Sequence, residues 1–372
     1  MKRQHKKIFF EAFAIIDNNI AYASLGDSNG LFCVDLKSNN CTYISMFPNE
    51  KPGANELHCK AEYFNNKVYF IPRSAEYISI YDLQTKEIHQ IAIPSPVDNK
   101  GVYYKGCKFA DSCVYDNSLW MLPTTFPGIL KMNIYTEEIT IIDNWVPNKK
   151  YSFRKGMCKI NNRLFLTDTL SSAVLEIDMT LECVKVNFLG KNNKGCSSIC
   201  SPDGINIWMT PALGPIIRWN YKNDTFEEFS NYPKGYKHAE FNRFDFIKAY
   251  SIGNYIYFIP SYGNMMIKFD INKNIMSEIN ENIFNNATHC RYLFETDSFI
   301  YITVFYEEFE KKFKISKCTN EISSGDFVFL EGENKRNREY VASEVQSARV
   351  INECETFGLE EFMAALSDEE KL

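Results

Sequence analysis

The sequence predicts an all-β chain, a seven-bladed β-propeller over residues 1–330 closed into a ring, with an acidic α-helical tail over 331–372. Three observations predict it. A turn pair followed by an apolar strand carrying an aromatic residue recurs seven times, and two further landmarks keep step with that aromatic. After Glu331 the apolar period changes from two to about 3.6.

The seven copies run in order along the chain. NNIAY ends at Tyr22, NNKVY at Tyr69, DNSLW at Trp120 and NNRLF at Phe165. INIW ends at Trp208, GNYIY at Tyr257 and DSFIY at Tyr301. The intervals are 47, 51, 45, 43, 49 and 44 residues, near the length of one propeller blade. A polar residue closes an apolar strand thirteen residues after the aromatic, at Asp35, Asp82, Asn133, Asp178, Asp270 and Lys314; in the fifth copy Asn220 follows after twelve. Proline stands three residues after the aromatic at Pro72, Pro123, Pro211 and Pro260, and Leu25, Asp168 and Val304 take that place in the other copies.

Each copy reads as four short strands. In the second they are Cys59 to Phe64, Val68 to Ile71, Tyr77 to Tyr81 and Ile88 to Ile93. NN, DN and DG pairs mark tight turns. Proline ends the second strand because it has no N–H to give the ladder. A twisted four-stranded sheet has two apolar faces, and stacking sheets about an axis covers both. The recurrent Tyr, Trp or Phe sits where one blade meets the next. Burying about 150–250 Å² per ring supplies much of the adhesion between blades.

In repeat length and strand pattern, residues 8 to 330 resemble WD40 and kelch-type propellers. The GH…WD signature and the kelch double glycine are both absent, so the resemblance implies architecture and no functional residue. The same architecture is similar to bacterial propeller lyases, which use His and Glu in a central funnel.

Composition narrows the function classes. The N-terminal run MKRQHKKIFFEAFAII is broken by Glu11 and Asp17 and reads as a first strand rather than a leader. No apolar stretch of about 18 residues suggests a membrane span. The twelve cysteines contain no CxxC pair, and Cys33, Cys113 and Cys158 sit in apolar strands. Reduced core thiols in a cytosolic chain are therefore expected, with no cofactor or metal. With a pI near 5.6 and no basic stripe, nucleic acid is not an expected partner.

In the tail, Val341, Val345 and Ala348 share a helical face. Leu359, Phe362, Met363 and Leu366 follow the i, i+3, i+4, i+7 pattern, with Glu360 and Glu361 near the start of that helix. Residues 331–372 carry 11 acidic and 5 basic side chains, net −6, which equals the charge of the whole chain. The tail packs on its own ring, docks into a partner groove as a helix, or is a disordered end.

In a propeller the connections from fourth to first strands open on one face. Residues 45–60, 92–106, 143–155, 189–195, 230–243 and 281–291 form six of them and together carry +8. They also bring Tyr103, Tyr104, Trp145, Tyr151, Tyr232 and Tyr236. Strand starts aim Lys105, Arg154, Lys194, Arg243 and Arg291 at the funnel. Cations beside rings suit an anionic small molecule or glycan, an acidic peptide or a protein partner. Tyr104, Lys105, Arg154, Lys194, Tyr236, Arg243 and Arg291 are the candidate binding residues. The −6 tail is a candidate occupant of the same face.

Two of the five histidines, His58 and His289, precede first strands, and Glu56 lies close to the former. These three are the candidate acid–base groups of an enzyme reading, a lyase, epimerase or cyclase. Asp168, in place of the repeated proline, reads as an Asx-turn residue or a rim contact. No P-loop, GxGxxG, GxSxG or HExxH pattern occurs. A binding propeller, a funnel enzyme and a purely structural assembly module thus remain as alternatives.

Overall fold

The computed structural model describes residues 10–17, 19–26, 28–51, 53–94, 107–143, 145, 152–189, 195–212, 214–240, 243–279, 282–284, 286–324 and 328–329. The strands form seven antiparallel sheets, each taking four strands from consecutive chain. The protein is a seven-bladed β-propeller. The blades begin at Phe10, His58, Phe109, Phe153, Cys196, Phe246 and His289. A fifth strand, Val328–Phe329, runs parallel to Asn40–Ser45 at the edge of blade one. The tail, with Leu359, Phe362, Met363 and Leu366, lies outside the described residues.

The chain divides into two compact units. Met1–Ser95 with Phe327–Leu372 holds blades one and two, and Pro96–Asp326 holds blades three to seven. Within each unit the repeated aromatics do what the repeat requires. Tyr69, Trp120, Phe165, Trp208, Tyr257 and Tyr301 are buried, and Tyr22 is half-buried. Trp120 packs with Leu164, Leu166 and Leu175 of blade four. Phe165 packs with Ile207 and Trp219 of blade five, and Trp208 with Phe258 and Phe269 of blade six.

The second landmark is a turn device. Asp35, Asp82, Asn133, Asp178, Asn220 and Asp270 each accept backbone N–H bonds from the second and third residues ahead, at 2.8–3.3 Å. Four residues after each stands a left-handed residue: Asn39, Lys86, Glu137, Glu182, Asp224 and Asn274. This is a hairpin turn closed by one left-handed residue.

Blade seven corrects the register read from sequence. Its left-handed residue is Asn320, and the capping side chain is Ser316, whose hydroxyl accepts from Thr319 N at 3.1 Å. Lys314 instead lies two residues earlier, opposite Tyr301. Blades one and four also lack the proline and keep the regular interval, so its loss permits the shift without imposing it. Val304 can stay in the ladder, so the second strand runs on to Phe305, which pairs with Glu310.

Candidate functional site

Antiparallel order places the start of each first strand beside the end of the second. Six blades carry a register shift at this point, and the residue there faces the landmark proline or its substitute. The facing residues are Phe10, His58, Phe109, Phe153, Cys196 and Phe246. His58 therefore occupies a core position that four other blades fill with phenylalanine. It is fully buried, with its ring 4.4 Å from Phe47 and 5.3 Å from Phe70, and neither nitrogen has a hydrogen-bond partner among the described residues. Burial pushes its pKa down to about 3. A sealed, neutral imidazole exchanges no proton with a ligand, so the expectation of His58 as an acid–base group gives way to a packing role.

Glu56 does not serve it either. Its carboxylate pairs with Arg73 at 3.1 Å, and Arg73 also binds Glu11 at 2.5 Å. On the inner strands of the second unit Lys248 pairs with Glu295 at 3.0 Å and lies over Tyr292 at 4.9 Å. Burial opposes the charge on Glu295, but the ammonium groups of Lys248 and Lys317 hold its pKa below the usual carboxylate value. These inner carboxylates and cations neutralise one another. Asp168 is a turn residue: it accepts from Ser152 N at 2.9 Å, Leu170 N at 3.2 Å and the Ser171 hydroxyl at 2.6 Å.

Three candidates remain at the joint of blades six and seven. Arg243, exposed, lies over the Tyr262 ring at 4.7 Å. Tyr262 stacks on His289 at 5.4 Å and 18°. His289 stacks on Phe305 at 4.2 Å and 4°. Arg291 lies over the far ring, 5.6 Å from the Phe305 centroid. The result is one column, Arg243–Tyr262–His289–Phe305–Arg291, with a guanidinium at each end. Phe305 stands one residue past Val304, at the end of the second strand, paired with His289 across the ladder. Burial lowers the His289 pKa; Arg291 and Arg243 lower it further, and Glu310 opposes them.

The loop that carries Tyr262 is clamped from both sides. Ser261 N and Gly263 N donate to Asp245 O at 2.7 and 3.1 Å, Tyr262 N donates to Phe244 O at 3.1 Å, and Cys290 N donates to Ser261 O at 2.7 Å. A β-carbon at residue 263 would stand 3.0 Å from Asp245 O, a tight contact with backbone that favours glycine. The Asp245 side chain is buried. It accepts from Ala239 N at 2.6 Å and meets His238 Nδ1 at 2.6 Å. His238 stands edge-on to the stacked rings of Tyr232 and Tyr236, 5.0 Å from each.

Tyr236 is not at the surface as a binding ring would be. It is sandwiched between Tyr232 at 4.4 Å and Phe246 at 5.9 Å, and burial raises its pKa, with the Asp245 charge adding to the effect. Tyr104, Lys105 and Lys194 lie outside the described residues, as does the side chain of Arg154. Sequence reasoning missed Tyr262, Phe305, His238 and Asp245. The broken proline landmark at Val304 was the signal for Phe305.

Among the described residues no group of three or more His, Cys, Asp or Glu is arranged to hold a metal ion, and no helix is long and apolar enough to cross a membrane. Their eleven cysteines are free thiols. No protein-family model matches the chain, and no curated protein matches it. Solved structures do. A catalytically inactive histidine-to-alanine variant of virginiamycin B lyase from Staphylococcus aureus, with quinupristin, is 16% identical over 82% of this chain and 94% of that one, at a TM-score of 0.60. A streptogramin B lyase is 15% identical over 79% and 89%, at 0.58. YCF48 bound to D1 peptide is 9% identical over 84% and 96%, at 0.58. At such identities the likeness shows the fold that the seven sheets show, a β-propeller.

Proposed function

We propose that this protein is a partner-binding propeller that captures an acidic peptide across the joint of blades six and seven. The observation that carries the reading is the column ended by Arg243 and Arg291. Two guanidinium groups held over rings are pre-oriented, so less side-chain entropy is lost when a carboxylate arrives. Peptide capture suits two exposed cations held at fixed places. Of the structural neighbours, one is described with a peptide and another with a small molecule.

The test is fluorescence anisotropy with a rhodamine-labelled hexa-aspartate peptide. Binding is expected to weaken with salt, as charge pairing does. The double variant Arg243→Ala/Arg291→Ala is expected to lose about 10- to 100-fold in affinity, from two charge-assisted contacts. Equal affinity of wild type and double variant would exclude the column as the site. Displacement by citrate or phosphate at low millimolar concentration would assign it to a small anion instead.

One observation favours the enzyme reading. A carboxylate oxygen only accepts, so the short contact to Asp245 fixes the His238 proton on Nδ1 and leaves a lone pair on Nε2 of a partly exposed ring. That is the geometry of an oriented base. It predicts that diethyl pyrocarbonate modifies His238 ahead of the sandwiched His289, and that Asp245→Asn abolishes the preference. Slow modification of His238 would remove this reading.

A further inference from the structure

We infer that the arginine-ended column is a proton-coupled anion site, in which His289 takes up a proton when a carboxylate settles against Arg243 and Arg291. The inference rests on the binding function proposed above and deepens it.

The geometry sets up the coupling. His289 lies at the centre of the column, parallel to the rings on either side of it, at 5.4 Å from Tyr262 and 4.2 Å from Phe305. Its nearest charges come from three elements. Arg291 is on its own strand, Arg243 is on the connection between blades five and six, and Glu310 and Lys312 are on the third strand of blade seven, where they pair with each other at 3.4 Å. Tyr262 on the blade-six turn adds a neutral ring, and the Thr288 hydroxyl lies 3.2 Å from Nδ1. In the empty site a third positive charge would stand between two fixed ones, in a partly buried place. The imidazole is therefore held neutral, its pKa below the ordinary value.

An anion reverses this balance. A carboxylate near the guanidinium groups cancels the repulsion that His289 feels and adds an attraction. The bound state then favours the imidazolium more than the free state does. Whatever raises the proton affinity of a site on binding is itself bound more tightly as pH falls. The sign follows: affinity rises as pH drops through the bound-state pKa and levels off below the free-state one. Aspartate side chains of the ligand stay ionised above about pH 5, so they do not generate the effect. The ring stack has a second consequence. Imidazolium is a better partner for the faces of Tyr262 and Phe305 than imidazole is, so the column tightens when it charges.

Two measurements test the inference on the full-length protein with the labelled hexa-aspartate peptide. Affinity is measured from pH 8 to pH 5.5 at constant ionic strength, and an increase of about tenfold is expected, one unit of pKa difference. Calorimetry at pH 6.5 in two non-phosphate buffers of different ionisation enthalpy is expected to show uptake of a fraction of one proton per peptide. His289→Gln is expected to bind the peptide with a flat pH profile and no uptake. A flat profile in the wild type, with binding intact, overturns the coupling and leaves the binding function standing. Absence of binding at every pH overturns the binding function itself. An unchanged profile in His289→Gln shows that another group carries the proton and overturns the assignment. The calorimetric uptake is read on the wild type, so the coupling stays testable if the variant fails to fold.

Discussion

Gly195→Ala is expected to destabilise the protein by about 3 kcal/mol or more, one of the largest effects of any single methyl group in the fold. A β-carbon at residue 195 would stand 2.0 Å from the carbonyl carbon of Thr169, 2.1 Å from its oxygen and 2.5 Å from its α-carbon. All three are backbone atoms, so no side chain can swing aside. Both backbones are also tied down. Thr169 N donates to Ser152 O at 2.9 Å, and its hydroxyl donates to the same oxygen at 2.8 Å. Gly195 O accepts from Ala212 N at 2.8 Å, next to the Cys196–Pro211 ladder pair. Relief requires one of these bonds to break where blades four and five abut. Gly53→Ala is the control, because nothing lies within 4 Å of its added methyl group. Urea unfolding of the three proteins decides the matter. A midpoint for Gly195→Ala within about 0.5 kcal/mol of wild type would show that the blades slide freely there.

That glycine also marks where the sequence stops being readable. The repeat was legible because its landmarks are local. An Asx side chain closing its own turn leaves a signature within five residues, and so does a proline ending its own strand. The aromatic was legible because the fold repeats one burial problem seven times. Gly195 in NNKGCSS looks like any loop glycine, since the backbone it meets belongs to the preceding blade. The same limit produced the Lys314 error. A fixed interval of thirteen places the cap there, but the ladder of blade seven runs on through Val304 to Phe305 and the cap stands at Ser316.

The site was legible in part and for the same reason. Loop charge identified Arg243 and Arg291 as cations near a strand start, and position identified His289. Their assembly into one column depends on two rings, Tyr262 on a turn and Phe305 on a strand end, which no charge count weighs. Tyr236 illustrates the converse. Its place in a basic aromatic loop suggested a binding ring, but Phe246 and Tyr232 enclose it. Aromatic residues in a long connection have two uses, closing the loop on itself or facing a ligand. Composition alone does not separate them.

His58 gives the other large effect, through acid. Its folded pKa is about 3 against about 6.5 in the unfolded chain, and burial is the cause. Above pH 6.5 both states are neutral and the group leaves stability independent of pH. Below it the unfolded state binds a proton that the folded state refuses. Stability is therefore lost as pH falls from 6.5 towards 3, at about 1.4 kcal/mol per unit, reaching about 2 kcal/mol at pH 5. His58→Phe removes the liability. Four other blades place phenylalanine at this position, and the change also retires two buried nitrogens without partners. The added ring volume costs up to about 1–3 kcal/mol if Phe47 and Phe70 do not adjust. The decisive quantity is thus the difference between two pH values rather than either stability alone. Urea midpoints of wild type and His58→Phe at pH 7.5 and pH 5.0 supply it. The variant is expected to gain about 2 kcal/mol on wild type between them. Parallel losses in the two proteins would mean that the imidazole reaches water in the folded state and that its environment is not the sealed core that Phe47 and Phe70 form around it.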